Sequence, residues 1–276
     1  NGLGLSTTTA GDYYGYFMGL VYFTPLLGGL VADRLLGEYR SIVIGAVFLG
    51  AGYALLALPP GDGMTLFFAA MASIVVGNGL FKPNISTMLG RLYPRGSPLR
   101  DSGFSLFYTG INLGALFAPF AASWLRTSWS WQTAFGAAGA GMALSLAVFA
   151  PFRRIYTPPA TDDEGGEAAA ASAAEAAPVG TGTRLFALAV LYLVSTMFWA
   201  LFFQNGFALT LWAKDCTARP DWLPPELFQA VNPICIVALS AGAALFWQAL
   251  GKRGREPSTP DKILLGLLAA IGACLV

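Results

Sequence analysis

The sequence predicts an all-α membrane protein, specifically a polytopic transmembrane helical bundle. First, 55% of the 276 residues are hydrophobic and only 11% are charged, whereas soluble domains carry about 25% charged residues. Second, the chain contains repeated apolar runs close to the ~20 residues that a helix needs to cross a bilayer. Third, the loops between these runs are alternately rich and poor in Lys and Arg, as expected for a multi-pass protein.

Eight transmembrane helices are predicted from the apolar runs. Each run is close to the ~20 residues of a membrane span, and the last is shorter because the chain ends there. In chain order they are 13–32, 41–58, 64–90, 103–125, 131–151, 185–213, 225–250 and 261–276.

The charge pattern predicts the orientation of these helices. Twelve of the sixteen Lys and Arg residues lie in every second loop, and the positive-inside rule makes those loops cytoplasmic. Residue 1 then lies outside and the first helix runs inward. A protein of this kind with a cytoplasmic N-terminus needs at least one earlier helix, so we expect a helix before Asn1.

A segment of different composition separates the first five helices from the last three. Residues 157–183 are rich in Ala, Gly, Pro and acidic residues and contain no aromatic residue, which is typical of a linker. We therefore predict an N-terminal transmembrane half at 1–151 that lacks its first helix, a cytoplasmic linker at 152–184, and the start of a C-terminal half at 185–276. Two six-helix halves joined in this way are the plan of a large class of transporters.

The composition also disfavours several classes of function. The chain has no His, which removes the commonest metal ligand and every Ser-His triad. Its three cysteines are far apart, and no Asp or Glu lies in the middle of a predicted span. With a net charge of +1, no field would attract nucleic acid. We expect neither a metal nor an organic cofactor.

The first motif is GGLVADRLLGEYR at 28–40, where the first helix leaves the membrane. Gly28 and Gly29 would let neighbouring helices approach closely. Asp33 and Arg34, followed by Gly and Arg, resemble the loop motif of the major facilitator superfamily, in which it latches the cytoplasmic ends of two helices. The alternative is a positively charged turn with a local ion pair.

The second motif is VVGNGLFKPNISTMLG at 75–90, which places Lys82 inside a span. A lysine at the centre of a span costs about 2.5–3.5 kcal/mol on insertion scales. Asn78, Lys82 and Ser86 recur every four residues and share one helix face, which we predict faces a wet cavity. The alternative is a side chain that snorkels to the interface, although Arg91, ~13 Å further along the helix, already marks that end.

The third motif is GFSLFYTGINLGALFAP at 103–119. Tyr108 and Asn112 lie one turn apart on one face, which makes them candidate substrate ligands. Gly110 and Gly114 form a GxxxG pair that predicts close helix packing. Asn112 could instead act only as a polar contact between helices, worth about 0.6 kcal/mol in membranes.

Two further motifs lie after the linker. In TMFWALFFQNGFALTLWA (196–213), Gln204 and Asn205 are the polar residues at mid-span, and Trp199 precedes them. In LPPELFQAVNPICIVAL (223–239), Asn232-Pro233 is predicted to interrupt the helix about two turns after its start. A broken helix could expose backbone groups to a substrate, and the alternative is a simple kink.

Together these motifs resemble the proton-coupled oligopeptide transporter family, a branch of the major facilitator superfamily. The residues that carry the resemblance are GGLVADRLLG, GLFKPNISTMLGRLY, DSGFSLFYTGINLGAL, FWALFFQNG and FQAVNP, in family order along nearly the whole chain. The resemblance implies a major facilitator fold with a central cavity. It also implies that Tyr22 and Lys82 line this cavity from the first half, that Asn112 binds the peptide backbone, and that Trp199 and Asn232 line it from the second half.

In that family the lysine pairs with a glutamate of an E-x-x-E-R-F motif on the first helix, which this chain does not contain. Many relatives also have an acidic residue just before the glutamine that corresponds to Gln204, where this chain has Phe202 and Phe203. The proton-carrying carboxylate is therefore expected outside these residues, unless the coupling differs.

The function predicted from the sequence is import of di- and tripeptides by a proton-coupled symporter that works by alternating access. We expect a multi-pass protein of the inner (plasma) membrane, embedded in the bilayer as a monomer, with protons as the coupling ion. The candidate substrate residues are Tyr22, Asn78, Lys82, Tyr108, Asn112, Trp199, Gln204 and Asn232. The candidate residues for coupling and gating are Lys82, Asp33 and Arg34.

Three alternatives stay open at this stage. The chain could carry another small solute, such as nitrate or an amino acid, on the same fold. It could be an intramembrane enzyme, for which Lys82 with a serine is a remote option. It could also be a structural or receptor protein that binds a ligand without transporting it.

Overall fold

The computed structural model describes residues 4–59, 64–93, 98–156, 180–203, 208–216, 218, 220, 225–253, 255, 257 and 259–274. Each regular element in these ranges is a helix, which confirms the predicted all-α class. The chain divides into two compact units, Asn1–Ala160 and Thr161–Val276. The division into two transmembrane halves and a linker at 152–184 stays a prediction, because residues 157–179 lie outside the described ranges.

The N-terminal unit contains five long helices, and each belongs to a segment long and apolar enough to cross a membrane. They confirm that the first five predicted spans are helical. They are α1 (Thr7–Val31), α2 (Glu38–Ala57), α3 (Thr65–Arg91), α4 (Pro98–Ser128) and α5 (Trp131–Phe149).

The turn between α1 and α2 is compact. The last residues of α1 continue into a π-helical turn, Ala32–Leu36, which ends at Gly37 with φ of 73°. A residue with a side chain rarely adopts that backbone conformation, so a glycine is needed where the chain turns into Glu38. The turn places Asp33 and Arg34 on an exposed surface at the end of α1.

Helix α3 packs between α1 and α2 through glycine contacts. A Cβ atom added at Gly28 of α1 would overlap the carbonyl oxygen of Gly79, and one added at Gly45 of α2 would lie 2.8 Å from the carbonyl oxygen of Gly77. Backbones can approach this closely only where side chains are absent. The buried apolar residues of α2 and α3 surround these contacts: Ile42, Ala46, Leu49, Ala70, Ile74, Val75 and Met88.

The predicted GxxxG packing on α4 does not hold among the described residues. A Cβ atom added at Gly110 or Gly114 would meet no described atom within 4 Å. Small residues permit close packing but do not create it, because a second helix must present a matching surface. In this unit the glycines of α1, α2 and α3 supply such surfaces.

Helix α5 packs on α2, and a cluster of aromatic residues joins their ends. The Tyr39 hydroxyl donates a hydrogen bond to the Ala150 carbonyl oxygen at 3.0 Å, and the Tyr39 ring stacks on Phe149 at 5.5 Å between centroids. A 3₁₀ turn at Ala150–Phe152 and a short helix α6 (Arg153–Tyr156) follow.

In the C-terminal unit the predicted spans are helical wherever the structure describes them. The elements are α7 (Thr181–Phe202), α8 (Ala208–Asp215), a 3₁₀ turn (Pro225–Ala230), α9 (Val231–Lys252) and α10 (Thr259–Cys274). The predicted interruption at Asn232-Pro233 is wrong, because α9 begins at Val231 and continues through both residues. Pro233 lies in the first turn of α9, where a missing N–H removes no helical hydrogen bond. The irregular backbone precedes Asn232, in the 3₁₀ turn.

Candidate functional site

The cation at the centre of the candidate site lies against an aromatic ring. Lys82 of α3 has an exposed side chain, and its Nζ lies 4.7 Å from the ring centroid of Tyr22 on α1. This distance is within the ~6 Å range of a cation–π interaction. The structure therefore brings together two of the residues that the sequence predicts at the site.

Hydrogen bonds fix the position of α1 against α3 beside this pair. The Asn78 Nδ2 donates to the Val21 carbonyl oxygen at 2.8 Å. The Thr24 hydroxyl shares its one hydrogen between the Leu20 carbonyl oxygen of α1 at 2.9 Å and the Val75 carbonyl oxygen of α3 at 3.1 Å. These bonds flank Tyr22 along α1. One donor of the predicted substrate residue Asn78 is thus used to hold the two helices together.

The direction of the Lys82 side chain bears on the snorkelling alternative. Side chains on an α-helix point toward the N-terminus of their own helix. Tyr22 directly follows Val21 in α1, and the Val21 carbonyl oxygen accepts a hydrogen bond from Asn78, which lies one turn before Lys82 in α3. The ring that the ammonium group contacts is therefore close to the level of Asn78. The ammonium group therefore reaches back along α3 and away from Arg91, opposite to the direction that snorkelling toward that end requires.

Tyr108 and Asn112 interact with each other within α4. Asn112 is only 7% exposed, and its Nδ2 donates to the Tyr108 carbonyl oxygen at 2.8 Å. The Tyr108 side chain is 58% exposed. This bond joins two residues of one helix, so it neither connects two helices nor links the pair to Lys82.

At the turn after α1, the ion pair that the structure shows joins residues other than the predicted ones. The Nε of Arg91, at the end of α3, lies 3.0 Å from Oε1 of Glu38, at the start of α2. The Glu38 side chain is 11% exposed and that of Arg91 is 69% exposed. Asp33 and Arg34 are exposed on the preceding turn, and their role as a latch stays a prediction.

The Glu38–Arg91 pair was not predicted, although the sequence contains a signal for it. The predicted spans at 41–58 and 64–90 follow each other closely, so they are expected to be antiparallel neighbours, with the start of the first and the end of the second on the same side. An acidic residue at one of these ends and a basic residue at the other are candidates for pairing.

The predicted residues after the linker belong to the C-terminal unit. Trp199 of α7 is 48% exposed and stacks on Phe203 at 5.5 Å, with Phe202 edge-on at 5.3 Å. Asn232 is half-buried in the first turn of α9. Gln204 lies outside the residues that the structure describes.

The five apolar helices and the lysine held within one of them define a multi-pass α-helical membrane protein. The chain also matches the POT family over residues 39–164 and 166–276. It therefore belongs to the POT family.

Individual relatives agree with this assignment. The chain is 32% identical to the uncharacterized transporter YclF of Bacillus subtilis, a match that covers 98% of the chain and 64% of YclF. It is 30% identical to the peptide transporter YePEPT of Yersinia enterocolitica, covering 98% of the chain and 65% of that relative. The chain thus spans just under two thirds of the length of these relatives.

Solved structures show the same fold. The chain superposes with a TM-score of 0.75 and 32% identity on a crystal structure of a mutant of the peptide transporter POT in complex with alafosfalin. The match covers 91% of this chain and 61% of that one. The predicted major facilitator type of fold is confirmed by this similarity.

Proposed function

We propose that this chain forms part of a proton-coupled symporter that imports di- and tripeptides by alternating access. One observation carries the proposal: the match to the POT family extends along residues 39–164 and 166–276. Relatives named as peptide transporters support the substrate class. The protein works as a monomer in the inner (plasma) membrane, surrounded by lipid.

The proposed substrate site is centred on Lys82, whose ammonium group would bind the carboxylate of a peptide. A peptide carries one free carboxylate and one free amine, so a fixed cation orients it by charge. Tyr22 and Asn78 surround Lys82 in the N-terminal unit. The other proposed substrate residues are Tyr108, Asn112, Trp199, Gln204 and Asn232.

The proposed coupling mechanism is an electrostatic switch at Lys82. Without substrate, the ammonium group pairs with a carboxylate from a part of the protein outside these residues. Removing a cation from water is costly unless an opposite charge is close, so this pair holds the two halves in one state. Protonation of that carboxylate, or arrival of a peptide carboxylate, breaks the pair and allows the halves to rock. Asp33 and Arg34 contribute to the gate at the end of α1.

Lys82→Ala in the full-length protein tests the switch. In proteoliposomes with an imposed proton gradient, we expect accumulation of labelled dipeptide to fall to background, because the cation that links proton and peptide is gone. Exchange of internal for external dipeptide should persist. Lys214→Ala is the matched control, since Lys214 is an exposed lysine of the C-terminal unit. Unchanged gradient-driven accumulation in Lys82→Ala would refute the mechanism.

A carrier of another small solute remains the second candidate. The name of YclF, an uncharacterized transporter, specifies no substrate and so favours neither candidate. If nitrate or free amino acids compete for uptake and dialanine does not, this candidate replaces the first. Membership of the POT family favours a transporter over an intramembrane enzyme, and failure of the purified protein to hydrolyse labelled peptide is the corresponding expected result.

A further inference from the structure

We propose that Tyr22 is a positioning residue for Lys82, and that the face of its ring is the resting partner of the ammonium group whenever no carboxylate occupies the site. The consequence for transport rests on the proposed function, whereas the contact between the two residues does not. The inference goes beyond the lining role predicted for Tyr22, because it assigns the effect to the ring and not to the hydroxyl group.

The geometry distinguishes the ring from the hydroxyl group. The Lys82 Nζ lies over the Tyr22 ring, 4.7 Å from its centroid. The face of an aromatic ring is the negative part of its quadrupole, and a cation is attracted to it. The hydroxyl group lies at the edge of the ring, so it is not the part of the side chain that faces the ammonium group.

The helix that carries the ring is held against α3 by contacts that do not depend on Lys82. On either side of Tyr22, Val21 accepts a hydrogen bond from Asn78, and the Thr24 hydroxyl shares its hydrogen between Leu20 of α1 and Val75 of α3. One turn further along α1, Gly28 is in direct backbone contact with α3. The position of Tyr22 relative to α3 is therefore set before the ammonium group arrives, which reduces the entropy lost when the contact forms.

In the proposed switch, the Lys82 ammonium group changes partners, and a neutral ring is a partner that a carboxylate can displace. Two opposite charges in contact attract more strongly than a cation and a ring do. A carboxylate can therefore displace the ring, and the ring can retain the cation after the carboxylate is protonated or leaves. The Tyr22 side chain is 47% exposed and that of Lys82 is also exposed, so this unit leaves the pair open to such a carboxylate.

The contact can be tested without relying on transport. The full-length protein and its Tyr22→Phe and Tyr22→Leu variants are treated with acetic anhydride in lipid vesicles without peptide, at a mildly acidic pH at which the carboxylate of the proposed switch is protonated and no longer pairs with Lys82. Mass spectrometry then gives the acetylation rate of Lys82 relative to exposed Lys214 in the same molecule. Acetic anhydride reacts with the neutral amine, so a ring that stabilises the ammonium form slows the reaction.

We expect Tyr22→Phe to label like the unsubstituted protein, because the ring face is kept. We expect Tyr22→Leu to label Lys82 about twofold to thirtyfold faster, the range that corresponds to the usual strength of a cation–π interaction. Tyr22→Met supplies a second variant without a ring, in case the leucine variant does not fold. Equal labelling of Lys82 in the phenylalanine and leucine variants would overturn the proposal.

Gradient-driven dipeptide uptake by the same variants connects the contact to transport. Both variants lose the hydroxyl group, so the comparison between them isolates the ring: uptake should be about twofold to thirtyfold lower in Tyr22→Leu than in Tyr22→Phe. If the unsubstituted protein takes up no dipeptide, the proposed function fails while the labelling result still decides the contact. If uptake is lost equally in both variants, the hydroxyl group is the active part and the role of the ring in transport is refuted.

Discussion

At the scale of single residues, two basic residues of α3 that look alike in the sequence have different surroundings in the structure. Lys82 lies inside a span and contacts a neutral ring, whereas Arg91 ends the same helix and pairs with Glu38. The difference follows from depth, because an ion pair is most readily formed where both side chains can reach the surface. The largely covered Glu38 carboxylate loses more stabilisation when its partner is removed than the exposed Arg91 guanidinium does.

The Glu38–Arg91 pair should therefore respond asymmetrically to substitution. Arg91→Ala leaves a largely covered carboxylate without its partner, and we expect it to lower the free energy of unfolding by about 1 kcal/mol, after allowing for the exposure of Arg91. Glu38→Gln should cost less, because it leaves only an exposed guanidinium group. Thermal unfolding of the detergent-solubilised protein measures both.

Arg91→Lys is the control for this pair, since it keeps the charge and loses the planar geometry. It should recover part of the loss. High salt should reduce the difference between the unsubstituted protein and Arg91→Ala, because an exposed partner is screened. An equal loss in Arg91→Ala and Glu38→Gln, unaffected by salt, would mean that the pair does not stabilise the turn.

At the scale of helices, the spans could be predicted from the sequence and their partners could not. The first five spans are helical where hydropathy predicts them, because any backbone that crosses a bilayer must satisfy its hydrogen bonds internally. Packing is different, since it needs the matching surface of another helix. Gly28 has such a surface at Gly79, whereas a Cβ atom added at Gly110 or Gly114 would meet no atom of another described helix within 4 Å.

At the candidate site, too, some features could be predicted from the sequence and others could not. The four-residue period predicts that Asn78 and Lys82 share one face of α3, and in the structure both side chains contact α1; that this face also meets a wet cavity stays a prediction. The period cannot reveal that Asn78 bonds to a backbone carbonyl or that Lys82 lies over Tyr22, because both depend on how α1 sits against α3. The Asn232-Pro233 prediction was wrong for a related reason. The sequence shows the proline but not whether it lies in the first turn of a helix, where it is tolerated, or in the middle, where it would interrupt the helix.

Gly79→Val tests whether glycine packing sets the position of α1. A Cβ atom at Gly79 would lie 2.8 Å from the Cβ of Thr24, so a valine must push α1 away from α3. We expect a loss of about 1–3 kcal/mol in the free energy of unfolding, typical of overpacking. Gly114→Val is the matched control and should change stability by no more than about 0.5 kcal/mol. Equal losses at the two positions would show that helix propensity, not packing, causes the effect.

At the scale of the whole molecule, we predict the orientation from the distribution of charge and not from any one contact. Each helix crosses the membrane in the direction opposite to its neighbour in sequence, so the side assigned to one loop determines the side of the others. The twelve Lys and Arg residues in alternate loops make that assignment by the positive-inside rule. The ends of α2 and α5 must then lie on opposite sides of the bilayer.

Single cysteines at these two ends test the orientation directly. Leu58, after α2, and Ile155, after α5, are 49% and 62% exposed, so a cysteine at either position should react with a maleimide. In a background with every native cysteine replaced by serine, a membrane-impermeant maleimide added to intact cells should label Leu58→Cys and spare Ile155→Cys. After permeabilisation both should react, which controls for accessibility. Labelling of Ile155→Cys in intact cells would reverse the orientation and place Asp33 and Arg34 on the outer side, where they could not form part of a cytoplasmic gate.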